Sequence, residues 1–167
     1  MLLPIICVNQ NVFAQQKPAL EYQVKAAYLF NFTKFVYWPE TAFSDPTAPF
    51  VIGVVGKDPF GSYLDDVVKD EKVGAHPIVI ERYGDAKEIN SCHILYISRN
   101  NVDEKNVVDT YRSKKNMLSV SDEFSNWGGI INFYTEDNKV KLKIVLKAVR
   151  NAGLEISSKL LKIAKLQ

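Results

Sequence analysis

The chain has 167 residues, 47% of them hydrophobic and 24% charged, with a net charge of +2. That is enough for one soluble globular domain whose core needs no disulfide staples. The near-neutral balance gives no strong field for nucleic acid. Leu2 to Val8 is a short apolar run, followed by Val12-Phe13-Ala14 and then Gln15. The run is too short to span a bilayer. It predicts a signal peptide over residues 1–14, cleaved after Ala14, the alternative being a disordered or core-packed N-terminus; the missing basic n-region fits a start that is either truncated or mis-assigned. Cys7 would leave with it, and Ile6 stands before Cys7 where a lipidation cysteine needs a small residue. The mature chain then keeps only Cys92, at the entrance of an apolar strand. It is expected to be a buried thiol acting as a small hydrophobe.

Residues 15–18 read as a polar tail, and Leu20 to Val36 as a helix stopped by Pro39. On a helical wheel, Val24, Tyr28, Leu29, Phe32, Phe35 and Val36 fill one apolar arc. Lys25 falls inside the arc and Phe30 outside it, the reverse of an ordinary core helix. Either Lys25 snorkels along its methylenes while Phe30 packs under a loop, or these residues belong to a surface that meets another protein.

Thr41 to Pro49 is a loop, and Phe50 to Val55 is a β-branched apolar run that reads as a buried strand. Asp58-Pro59 supplies an N-cap and a first-turn proline for a helix carrying Phe60, Leu64, Val67 and Val68. Pro77 opens a second strand, Ile78 to Tyr83, and Asp85 to Ile89 is at most one helical turn. Ile94 to Ile97 is a third strand. Glu104 to Arg112 is a helix with Val107, Val108 and Tyr111 inward, and Met117 to Val120 is a fourth strand. Gly129 to Thr135 and Lys139 to Leu146 alternate about the turn Glu136-Asp137-Asn138. They form a hairpin with Ile131, Phe133, Leu142 and Ile144 on its inner face. Helical segments over Lys147 to Asn151 and Ser157 to Leu166 close the chain, with Gly153 between them. Strands alternating with helices predict an α/β fold. The sheet would be mostly parallel and flanked by helices, with a C-terminal antiparallel hairpin extending it, in one domain over residues 19–167.

Chemistry finds little footing. Gly56 to Ser62 lacks the lysine of a phosphate loop, and Asp58 would repel a phosphate. Lys57, Asp58, Arg99 and Ser121 fall at the C-terminal ends of parallel strands, where such sheets bind ligands. Lys57, Arg99 and Ser121 could converge on a small anion there, with Asp58 beside them, or all four could be ordinary polar loop residues that cap helices. His76 lies in a turn, and His93 points away from its neighbour Cys92, so no metal site forms. No serine stands in a nucleophile elbow. No catalytic residue, metal or cofactor is expected, and the chain does not read as an enzyme. Trp127, before Gly128-Gly129, is either core or a surface anchor.

Six segments carry a resemblance. They are Lys25 to Pro39, Gly56-Lys57-Asp58-Pro59-Phe60-Gly61, Cys92 to Ser98, Leu118 to Asp122, Gly128 to Phe133 and Ala152 to Leu161. In this order they resemble the YfiR-like family of small periplasmic regulators of membrane-bound signalling enzymes. The resemblance implies a periplasmic protein that represses a membrane-bound diguanylate cyclase or histidine kinase until envelope stress releases it. Lys25, Phe30 and Trp127 are then the candidates for partner binding, and a homodimer stays open. Neither nucleic-acid binding nor direct membrane insertion is expected. The competing reading is a periplasmic small-ligand binding or sensor protein that uses the strand-end crevice. A lone mature cysteine departs from family members that carry several, which puts a redox switch in doubt.

Overall fold

The computed structural model describes residues 11–98, 107, 111, 114–122 and 128–167, with side chains from residue 18 onward. An eight-stranded sheet forms the centre. Its strands are β2 (Phe50–Val55), β3 (Lys72–Val73), β4 (His76–Tyr83), β5 (Ile94–Ile97), β6 (Leu118–Asp122), β7 (Ile131–Glu136), β8 (Lys139–Ile144) and β10 (Ala164–Leu166). The spatial order is β10-β8-β7-β6-β5-β2-β4-β3. The run from β4 to β7 is parallel, and the β7–β8 hairpin is antiparallel. Asp137 and Asn138 turn that hairpin with φ of 51° and 58°, a left-handed pair that matches the twist of the two strands. The expected α/β sheet with its C-terminal hairpin is therefore the fold. A separate two-stranded ribbon joins β1 (Val36–Tyr37) to β9 (Glu155–Ile156).

Alternation along the central strands feeds two cores. Phe50, Ile52, Val54, Ile94, Tyr96, Leu118 and Val120 face α1 (Asn11–Phe35), with Leu64 and Val68 of α2 (Tyr63–Val68) closing that side. Val51, Val55, Leu95 and Ile97 face the other way, toward Val107 and Tyr111. Two-sided burial is why these strands read as unbroken apolar runs. Most of the expected helix from Glu104 to Arg112, including Val108, lies outside the described residues. The hairpin's inner face, Ile131, Phe133, Leu142 and Ile144, is buried as its alternation predicts.

Three local expectations are corrected, and one short strand is added. Helix α1 spans Asn11–Phe35 with Pro18 inside it, so residues 15–18 are not a tail beside a helix that begins at Leu20. Helix α2 starts at Tyr63, not at Asp58-Pro59. Asp58 accepts a bond from the Phe60 N–H at 2.7 Å and from Arg82 at 2.6 Å, so it shapes a turn instead of capping a helix. Lys72 and Val73 form the short strand β3, paired antiparallel with Pro77 and His76 around Gly74. Helix α3 (Leu146–Asn151) is close to expectation, but the last helix stops early. The final helix α4 is only Ser158–Leu161, and Ala164–Leu166 then runs parallel to β8 as β10. The open backbone of β8 offers ladder bonds, sealed by Leu146 N–H to Gln167 O at 2.9 Å, and these outweigh one more exposed helical turn.

Candidate functional site

Parallel strands end on one side of the sheet, and there Tyr96 of β5 and Asp122 at the end of β6 stand beside Phe133, the β7 residue in register with Asp122. Helix α1 lies across this side and lowers Lys25 into it. Lys25 is 4% exposed and its Nζ stands 2.8 Å from Asp122 Oδ1. The Tyr96 hydroxyl donates to Asp122 Oδ2 at 3.1 Å. Glu21, one helical turn before Lys25, completes the cage at 2.6 Å. The ammonium also sits 4.7 Å from the Tyr22 ring centre. Burial alone would lower the Lys25 pKa. The bonds and charges of Asp122 and Glu21 outweigh that and hold it above the usual lysine value. Burial, followed by the neighbouring Asp122 charge, pushes the Tyr96 phenol far up, so it stays a donor.

The helical wheel placed Val24 in the apolar arc, but Val24 is 40% exposed while Lys25 is buried. Helix α1 is rotated so that Lys25, Leu29 and Phe32 face the sheet, because Asp122 anchors Lys25 there. Lys25 therefore neither snorkels to water nor displays its charge outward. Asp122 and Tyr96 were not singled out by sequence. The i, i+4 spacing of Glu21 and Lys25, and the Asp that ends Leu118 to Asp122, were the available signals.

The other crevice candidates do not share this cage. The Ser121 hydroxyl donates to Asn132 Oδ1 at 2.9 Å and accepts from the Gly129 N–H at 3.0 Å. It braces the approach to β7 from the opposite face of β6. Gly129 is required there, since a Cβ would stand 2.6 Å from the Ser119 carbonyl oxygen. Lys57 is exposed, and its carbonyl accepts from the Ser98 hydroxyl at 2.6 Å. Asp58 and Asp65 are both held by Arg82, at 2.6 Å each, and Arg82 also donates to the Gly61 carbonyl at 3.0 Å. Arg82 thus ties the turn after β2 to α2, a role the sequence did not reveal. Arg99 lies outside the described residues.

Phe30 is half-buried against the core, with Lys34 Nζ 4.1 Å over its ring. Trp127 lies outside the described residues. At the other end of the sheet the Phe43 ring lies between the two histidines, 3.6 Å from the His76 ring and 4.6 Å from that of His93. The Val51 N–H donates to His93 Nδ1 at 3.0 Å, which leaves Nε2–H to donate to the Ala42 carbonyl at 3.1 Å. Burial lowers the His93 pKa and keeps the ring neutral. Among the described residues no group of three or more His, Cys, Asp or Glu side chains could hold a metal.

A family model described as YfiR/HmsC-like matches residues 22–165, nearly the whole chain. Among curated proteins nothing matches.

Proposed function

The chain belongs to the YfiR/HmsC-like family, and from that premise we propose that it is a non-catalytic periplasmic regulatory protein. It binds a membrane-anchored signalling enzyme, a diguanylate cyclase or sensor kinase, and represses it until envelope stress releases it. The observation that carries this reading is the filled crevice. The place where a parallel sheet would take a ligand holds the protein's own Lys25, paired with Asp122 and Glu21. Recognition is left to outer surfaces. Leu20 is 62% and Val24 40% exposed on α1, beside a groove of about 370 Å³ shared with Thr135, Lys139 and Val140 of the hairpin. The small-ligand reading through the crevice is weaker, because a ligand would have to displace Lys25. Export rests on the apolar start and Val12-Phe13-Ala14. No helix among the described residues is long and apolar enough to cross a membrane.

Repression then follows from differential binding: the regulator favours the enzyme's inactive state, and stress weakens that contact. Deleting the gene in its native host tests the reading, with cyclic di-GMP and sensor-kinase phosphorylation as readouts. One of the two should rise and be restored by the exported chain. The folded Leu20→Asp, Val24→Asp variant should restore it poorly. If neither output moves on deletion, the reading fails.

A further inference from the structure

Charge is unevenly spread along the chain. Eight of its 21 basic residues and one of its 19 acidic residues lie in 139–167. That segment carries a net +7, and the 138 residues before it a net −5. The register gathers these charges at one edge of the sheet. In β8, Leu142 and Ile144 are buried, so Lys139, Lys141 and Lys143 point to the opposite face. Lys165 of β10 pairs with Lys143 and stands beside it at the roughly 5 Å of adjacent strands. Lys139 faces Glu136 across the hairpin, and Lys141 faces Tyr134. Clustered cations on one edge set up a positive local field that favours an anionic surface. Lys159 and Lys162 are exposed nearby, and Ile163 and Leu166 are 58% and 45% exposed at the same edge. The outer side of β10 pairs with no strand among the described residues.

We propose that this edge, built from β8, α4 and β10, docks peripherally on an anionic phospholipid surface. Its lysines lie among the headgroup phosphates, and Ile163 and Leu166 reach the acyl boundary. Leu166 turns to the opposite face of β10 from Lys165, so contact is made edge-on. The composition favours lipid over an acidic protein. Seven of the eight basic residues are lysine, a residue depleted in protein interfaces, where arginine and aromatics concentrate. Lysine is a compact charge without a directional fork, suited to mobile headgroups. Exposed aliphatic side chains beside clustered lysines are the pattern of interfacial segments.

Flotation of the full chain with phosphatidylcholine vesicles, with and without phosphatidylglycerol, is the test. About tenfold more protein should float with the anionic vesicles, and added salt should release it. Lys141→Glu with Lys165→Glu should abolish the difference in a chain that circular dichroism shows to be folded. Ile163→Ser with Leu166→Ser should weaken binding and leave its salt dependence. Equal flotation with both vesicle types overturns the proposal, as does undiminished binding of the charge-reversed variant. Displacement by polyglutamate at matched charge also overturns it, since the edge would then read an acidic polypeptide. The vesicles contain no enzyme, so none of these results bears on the regulatory reading.

Discussion

Lys25 Nζ lies 2.8 Å from Asp122 Oδ1, joining the first helix to a strand end 97 residues later, with both side chains almost fully buried. Lys25→Met should strand the Asp122 carboxylate without its cation and cost about 3–5 kcal/mol in urea unfolding at neutral pH. Adding Asp122→Leu should recover most of that loss, because an apolar pair of similar volume removes the stranded charge. The pH dependence has a definite sign. The folded Lys25 pKa is raised, so its contribution is complete below the unfolded value of about 10.4 and fades as pH rises through the folded one. A Lys25→Met protein as stable as the parent would show that the pair contributes nothing.

Gly129→Ala should destabilise by about 1–3 kcal/mol, as overpacking does, because the new Cβ meets the Ser119 carbonyl oxygen at 2.6 Å. Gly128→Ala brings its Cβ against the Asn132 side chain instead. That side chain can turn away, at the expense of its bond from Ser121. Thermal melts should therefore rank Gly129→Ala as the worse of the two, and the reverse order would refute the geometry.

Cys92 is 6% exposed, and burial pushes its thiol pKa up to about 12. Thiolate is the reacting form, so native labelling with a maleimide should be slow and rise sharply in denaturant. Fast labelling of the folded protein would place the thiol at the surface and reopen a redox role.

His93 should remain neutral where an exposed histidine is half charged, because burial lowers its folded pKa. The unfolded chain binds the proton first, at about pH 6.5. Stability should therefore fall as pH drops below that value, and level off only once the folded ring titrates. An NMR titration of the ring protons reads this directly, and a folded His93 titrating at or above 6.5 would contradict it.

Phe30 is half-buried under Lys34, so Phe30→Ala should lose less than the about 3–5 kcal/mol of a fully buried phenylalanine. If Phe30 also contacts a partner, association should weaken by about 1–3 kcal/mol while the fold persists. A full core-sized loss with association intact removes it from any interface.

Local sequence was enough for the elements whose residues decide their own state. Phe50–Val55 and Ile94–Ile97 are β-branched or apolar runs buried on both faces, and the hairpin's alternation named its inner face. These signals depend only on neighbours in the chain. The sequence also marked Lys25 as misplaced on its helix, without showing what it meets. That answer, Asp122, is contributed by a strand end 97 residues away, and helical periodicity carries no information about such a partner. The same limit explains the last segment. Ala164–Leu166 has a helical pattern on its own and becomes a strand because β8 presents an open edge beside it. Propensity differences there amount to tenths of a kcal/mol per residue, whereas each backbone hydrogen bond gained in the ladder contributes about 0.5–1.5 kcal/mol. Tertiary structure therefore decides both the partner of the buried charge and the state of the final strand.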